Sequence, residues 1–486
     1  MRQPPSQASL RSDGPEAEPT SEFARTMTSL TKAVYGAVCL LAFNAASAND
    51  AGFVSGDSPK QEYWARFDDK DWSAAVSAAE QLVAAARKEG APLPLAEALG
   101  LLGSAQLRNA DLAGAEASFE EALAIVERSE GRASGHTLMP LQGLGFTFAA
   151  GNRHEEAIPY LDRALLISHR THGLFHEGQQ PILKQLANSL THTGQPLVAE
   201  RHVKYMLQVG ERAYGQDDPK IVPLMCQVGD WHAEVGSFDT ARRHYRDAIR
   251  LVEDKLGKKD VALVLPLRRL AASFPKELDF RAKGFIDPHT ARSLEAPPML
   301  PRRENPRYLS REGQRALLRA LEVLEAQPDP PQALLSETLI ELGDWYQFRQ
   351  DPKKALQYYR QAAVVLEEIK RKAPEAAQDP LAFPVRVYFP VPSVIARGNR
   401  LFADQREEAF VQLEFDVLAD GSVANAIVTG SNTYQRHVSE ILDAIRDARF
   451  RPKFVDGEPV DTMAMSFREV YSVKRLPERE DDEEAS

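Results

Sequence analysis

Cysteine is nearly missing from this chain, with two in 486 residues. Cys39 lies in an N-terminal leader-like segment, so only Cys226 remains beyond it and no internal disulfide can form there. Stability must then come from packing, which requires a sizeable core. Cys226 stands among apolar helix positions and reads as a small buried residue rather than a reactive thiol. Positive charge is also in deficit: Lys and Arg number 59 against 70 Asp and Glu, a net −11. That balance argues against nucleic acid as a partner, because phosphate binding needs a positive field. No Gly-rich phosphate loop and no nucleophile elbow occurs. His154 beside Glu155 and Glu156 lacks the second histidine of a zinc-protease motif. His169, His172 and His176 are the best metal-like cluster, but no nearby Cys or Asp completes a ligand set. These absences lead us to expect no enzyme, no cofactor and no metal.

Long apolar runs are missing too. The longest, Ala33–Phe43, falls well short of the roughly 20 residues that span a bilayer. Residues 1–26 are rich in Pro, Ser and Glu and offer nothing for a core. Met27 then opens "MTSLTKAVYGAVCLLAFNAASAND", in which Lys32 precedes the apolar run. Ala46-Ser47-Ala48 before Asn49 is a small-x-small cleavage site, so 27–48 reads as a signal peptide cut between Ala48 and Asn49. An uncleaved, membrane-held N-terminus is the alternative. The four basic and four acidic residues of 1–48 cancel, so a chain starting at Asn49 keeps −11.

What the chain does have is a 42-residue period. Ala115, Ala157, Ala199 and Ala241 stand 42 apart. Four residues on come Phe119, Leu161, Val203 and Tyr245, and seven on come Ala122, Ala164, Met206 and Ala248, one face of a helix. Twelve residues before each anchor are Gly103, Gly145, Ala187 and Gly229, small residues that let a second helix approach. Gly131, Gly173, Gly215 and Gly257 mark the loops between units. A further unit carries Gly343, Ala355, Tyr359 and Ala362 at the same offsets, and a degenerate first unit is expected around Trp72–Leu82. Neither helix of a pair can bury its face alone, so neighbours must stack. We expect repeats over 60–274, a Pro-rich insertion over 275–309, and the last helices over 310–372. A split unit would join Val261–Phe274 to Gly313–Glu325. Trp231 and Trp345 are mostly repeat-core positions and are also our candidates for the edge of a groove.

"GSFDTARRHYRDAIRL" and "YGQDDPKIVPLMCQVGDW" resemble tetratricopeptide repeats of the 42-residue, kinesin-light-chain-like variety. The resemblance covers roughly 60–370 and implies a concave groove for a peptide or a partner protein.

Beyond residue 384 the period becomes two. Val411, Leu413, Phe415 and Val417 alternate with polar residues. Asp420-Gly421 turns into a return strand, a helix follows through Val438, Ile441 and Ile445, and Met463, Met465 and Phe467 alternate again. "VQLEFDVLADGSVANAIVTGSN", "AIRDARFRPKFVDGEPV" and "MSFREVYSV" together resemble the TonB C-terminal domain over 384–475. That resemblance implies a periplasmic module that recognises envelope or outer-membrane proteins by adding a partner strand to its last strand. The partner-binding candidates it gives are Ser466, Phe467, Arg468, Glu469, Val470 and Tyr471, and a homodimer through the same domain stays open. The chain departs from the family's energy transducers. It has no full-length transmembrane helix, no histidine in Ala33–Ala48 and no long Pro-Lys spacer. The expectation is therefore a mainly α protein: a helical-repeat solenoid, a small α+β domain, and an acidic tail at 476–486. Its expected role is a periplasmic protein–protein adaptor, with an inner-membrane-anchored transducer for outer-membrane transport as the alternative. Association with a membrane follows only if the signal stays uncleaved.

Overall fold

The structure, a computed structural model, describes residues 59–283, 310–372, 379–399 and 406–474, with sixteen α-helices and seven strands among them. Residues 27–48 with Ala46, Ala48 and Asn49, and the acidic tail, lie outside the described residues. The described chain forms two compact units. One holds the residues up to 171 with 178–189, and the other holds 172–177 and everything from 190 onward.

Helices α1 (Pro59–Asp68) and α2 (Trp72–Glu89) are followed by the pairs α3 (Pro92–Arg108) and α4 (Leu112–Glu130), α5 (Leu138–Ala150) and α6 (His154–His172), and α7 (Gln180–His192) and α8 (Pro196–Tyr214). Then come α9 (Val222–Glu234) and α10 (Phe238–Lys255), α11 (Val264–Ala282) and α12 (Arg311–Glu325), and α13 (Gln332–Phe348) and α14 (Pro352–Lys372). The anchors Ala115, Ala157, Ala199, Ala241 and Ala355 are all fully buried. Small residues on the first helix of a pair receive the large residue four past the anchor on the second. A Cβ added at Gly103 would stand 2.9 Å from the Phe119 ring, at Gly145 2.5 Å from Leu161, at Gly229 2.4 Å from Tyr245, and at Gly343 2.2 Å from Tyr359. Each of those side chains is at most 2% exposed, so each contributes roughly 1.5–3 kcal/mol of apolar burial. The loop glycines Gly131, Gly173, Gly215 and Gly257 all have φ between 85° and 101°, backbone that favours glycine. After three of these loops, Ser134, Asp218 and Asp260 each accept from the N–H two residues on and start a short 3₁₀ turn. His176 holds the corresponding position in its own loop.

One expected boundary moves. The insertion placed at 275–309 begins inside α11, which runs through Pro275 to Ala282. Leu267, Leu270 and Ala271 hold the preceding turns in the core, and Arg242 of α10 meets Glu277 and Ser273 beyond them. The split unit itself forms, with α12 as the partner of α11.

The C-terminal module opens with β1 (Val385–Tyr388) and α15 (Ser393–Gly398), neither of which the alternation pattern revealed. Next come β2 (Arg406–Val417), β3 (Val423–Ser431), α16 (Gln435–Arg446), β4 (Arg449–Arg451), β5 (Lys453–Val455), β6 (Glu458–Val460) and β7 (Thr462–Lys474). The main sheet is antiparallel in the order β3-β2-β7; β4 pairs with β1, and β5 with β6 across the Asp456-Gly457 turn. Val411, Leu413, Phe415 and Val417 of β2 pack with Val438, Ile441 and Ile445 of α16 and with Phe450 into a core of their own.

Candidate functional site

Two features of the C-terminal module bear on function: how it is held, and what it leaves open. The stretch Ala448–Val460 does the holding. Strand alternation sends Phe450 into the module's core, 5.5 Å from the Phe415 ring centroid. Phe454 instead joins the core of the last repeats, with its ring edge-on to Tyr359 at 6.2 Å. Between them Arg451 grips Asp344 of α13 with two hydrogen bonds, Nε to Oδ1 at 3.0 Å and Nη2 to Oδ2 at 2.6 Å. The same carboxylate accepts from the Tyr359 hydroxyl at 2.7 Å. The Arg451 side chain is only 12% exposed. Burial disfavours its charge, but the field and hydrogen bonds of Asp344 outweigh that and keep the guanidinium above the ordinary arginine value. Burial and the Asp344 charge likewise push the Tyr359 hydroxyl well up. Gln347, fully buried in α13, donates to the carbonyls of Asp420 and Phe450 at 2.7 and 2.8 Å. The basic residues of this stretch therefore do not all face solvent. Arg451 is an internal bolt, because a buried guanidinium needs a carboxylate and Asp344 supplies one.

The geometry repeats one already present in the array. In α9, Asp230 accepts from the Tyr245 hydroxyl at 2.8 Å and faces Arg269 of the next pair, Nε to Oδ2 at 3.3 Å. Both carboxylates belong to a Gly-Asp-Trp sequence, at Gly229 and at Gly343. Where another repeat would follow α14, the module stands and supplies the arginine from β4.

What the module leaves open is an edge. β7 pairs with β2 on one side and ends the sheet order on the other. Ser466, Phe467, Arg468, Glu469, Val470 and Tyr471 stand opposite Glu414, Leu413, Gln412, Val411, Phe410 and Ala409 in unbroken register. Ser466, Arg468 and Val470 face outward and are exposed; the Arg468 guanidinium lies 3.9 Å over the Phe410 ring. Phe467 and Tyr471 turn inward, and Tyr471, 5% exposed, donates to Thr433 at 3.1 Å. Glu469 meets Arg386 at 3.3 Å. The six candidates thus separate into three outward residues and three that support the strand from within. The near end of the edge is closed by a bulge. Met463 and Ala464 oppose Asp416 alone, Ala464 has φ +53°, and its N–H donates to Asp416 at 2.9 Å. The Asn425 amide and then the Ala464 N–H hold the Asp416 carboxyl below its ordinary range. At the far end α15 closes the edge, since a Cβ on Gly398 would collide with the Ser472 carbonyl. Between these limits, Met465–Val470 is a regular strand without a backbone partner on its outer side among the described residues.

The tryptophans offered for a groove edge are placed otherwise. Trp231 is 7% and Trp345 4% exposed. Trp231 donates to Thr191 at 3.0 Å, and the Trp345 ring fills the space beside Gly313. The Trp345 ring lies in core because Gly313 on the preceding helix leaves room for it, and Trp231 is covered on the side where it meets Thr191. Cys226 is 1% exposed, and burial pushes its thiol up. The His172 and His176 rings stack at 4.7 Å, and no group of three metal-ligating side chains occurs among the described residues. No described helix is long and apolar enough to cross a membrane.

Family models of the tetratricopeptide repeat match residues 94–169 and 338–373, so the chain carries these repeats. No curated protein matches it in sequence. Similar solved structures include kinesin-light-chain-type, nearly identical repeats from Podosopora anserina, at 15% identity over 42% of this chain and 99% of that one, TM-score 0.37. The apo form of RapI is 13% identical over 64% of this chain and 98% of that one, TM-score 0.38. The apo quorum sensor NprR from B. thuringiensis is 14% identical over 65% and 77%, TM-score 0.36.

Proposed function

We propose that this protein is a protein–protein interaction adaptor of the cell envelope whose C-terminal module receives an extended segment of a partner along β7. The observation that carries the reading is that, among the described residues, the outer side of Met465–Val470 has no backbone partner at the end of the sheet order β3-β2-β7. An unpaired row of N–H and C=O groups is a template for another strand, and alternate outward side chains supply selectivity. Here Ser466, Arg468 and Val470 present a hydroxyl, a cation and an apolar surface in turn. The bulge at Ala464 and the packing of Gly398 bound the site to about one short strand, a length that suits recognition of a peptide segment. The TonB-like motif pattern supports the same strand as the contact. Repeats of the tetratricopeptide type support a second protein partner, and the signal-like segment at 27–48 supports export to the periplasm. No carboxylate pair, nucleophile or metal set enters this reading.

The test is capture of envelope proteins by the chain 49–486, followed by hydrogen exchange on the captured complex. Adding a strand predicts new protection on alternate amides of Met465–Val470, at least tenfold slower, with the β2-facing amides unchanged. A complex in which none of these amides slows removes strand addition. Recovery of Ser466→Asp/Val470→Asp with the same partner at the same yield would also argue against it.

A further inference from the structure

Within the second unit, α10, α11 and α12 line an open cleft of about 760 Å³ with five arginines in its wall: Arg243, Arg246, Arg250, Arg315 and Arg319. Leu267 and Leu270 of α11, with Ile249 of α10 and Ala316 of α12, form its apolar part. Carboxylates engage three of the five. Arg246 is held by Glu312 at 2.8 Å, Arg250 by Asp247 and Arg319 by Glu253. Asp239, also in the wall, is exposed at its rim. Arg243 and Arg315 are exposed and make no close ion pair among the described residues; Arg315 donates to the Arg311 carbonyl at 3.3 Å, and its charge adds to the field that lowers the Glu312 carboxyl. Two helices far apart in sequence thus bring exposed guanidinium groups without a close ion pair to one cleft, an arrangement that suits an acidic chain.

We propose that the occupant is the chain's own acidic tail, residues 477–486. "PEREDDEEAS" has Glu478, Glu480, Asp481, Asp482, Glu483 and Glu484 against the single Arg479. Its root is near enough. The Ser472 carbonyl lies against Gly398, and Asn399 donates to the carbonyl of Lys283 at the end of α11, at 2.9 Å. From Lys283 back to Leu270 is thirteen helical residues, about 20 Å. From Lys474 to Asp482 is eight residues, about 27 Å when extended. With the steps from Lys474 to Ser472 and from Gly398 through Asn399 to Lys283 added, roughly 15 Å, the path is spanned by the twelve residues from Lys474 to Ser486, about 40 Å when extended, so the end of the acidic run is the part that reaches the arginines. Tethering places the tail's acids near the cleft more often than a free peptide would be, which favours charge pairing there.

The experiment uses a fluorescein-labelled PEREDDEEAS peptide with the chains 49–486 and 49–476. The shorter chain is expected to bind the peptide with an affinity that falls as salt rises, and the longer chain at least tenfold more weakly at every protein concentration. In the shorter chain, Arg243→Glu/Arg315→Glu is expected to abolish binding, and Arg66→Glu, which lies elsewhere, to retain it; circular dichroism checks that both fold. Absence of salt-sensitive binding to 49–476, or equal binding by both chains, overturns the proposal. A difference between the chains that disappears on dilution assigns the tail to a second copy and also overturns it.

Discussion

Asp230 and Asp344 occupy the same position in two repeats, each beneath a tyrosine hydroxyl and each facing an arginine. They differ in where the arginine comes from and how well it fits. Arg269 belongs to the next helix pair, is 35% exposed, and meets Asp230 at 3.3 Å through one nitrogen. Arg451 comes from a β-strand more than 100 residues away and is bidentate. A helical neighbour already secures its contact through a long apolar interface and local connection, so its ion pair is incidental. The module has a smaller helix-facing surface, with Phe454, Gln347 and the Asp344 pair concentrating the specificity. A foreign domain can end a repeat array by reproducing the contact that another repeat would have made.

The comparison can be broken most severely at its tightest point. Arg451→Met leaves Asp344 and Tyr359 facing an apolar side chain, and loss of one partner of a buried pair costs about 3 kcal/mol. Urea denaturation followed by the near-ultraviolet signal should show that loss. Gly343→Ala comes next, because its Cβ would stand 2.2 Å from a tyrosine that is fully buried and tied to Asp344. Overpacking of this kind costs about 2 kcal/mol, and Gly103→Ala, at 2.9 Å from Phe119, should cost less in the same assay. Arg269→Met should cost about 1 kcal/mol or less, as a partly exposed pair at 3.3 Å does. If Arg269 and Arg451 proved equal in the same denaturation series, geometry would not be what separates them.

The smallest effects are at the β7 bulge. Ala464→Gly relieves a left-handed alanine, offset by glycine's greater freedom when unfolded, for a net gain of about 0.5 kcal/mol. Asp416 carries the pH dependence of this corner. Its folded carboxyl is held below the ordinary 3.8, so its contribution is complete above that value and disappears as pH falls through the lowered one. Melting temperature should therefore fall less steeply between about pH 4 and 2 in Asp416→Asn than in the native chain.

Much of this was readable in the residues. The 42-residue period placed every anchor alanine, the paired glycines and the loop glycines, because helix packing demands small residues at fixed spacing. Strict alternation located β2 and β7, and Asp420-Gly421 gave the turn between β2 and β3. Periodicity did not reveal β1, since four residues carry no countable pattern, nor the burial of Arg451. Its partner lies more than 100 positions away, and nothing local distinguishes an arginine that is bolted in from one on a rim. A signal was present all the same: two Gly-Asp-Trp sequences, the second with no repeat behind it to supply an arginine. For Trp231 and Trp345 the residue type suggested a contact surface, but both rings are buried, Trp345 against Gly313 and Trp231 with its N–H on Thr191.

The coupling energy between Arg451 and Asp344 tests most directly the claim that the module is mounted on the array as a repeat would be. A double-mutant cycle of Arg451→Met and Asp344→Asn, read by urea denaturation of the chain 49–486, supplies it. The account predicts a favourable coupling of about 2 kcal/mol or more, against less than about 1 kcal/mol for Arg269 with Asp230. Additive single losses at Arg451 and Asp344 would contradict it.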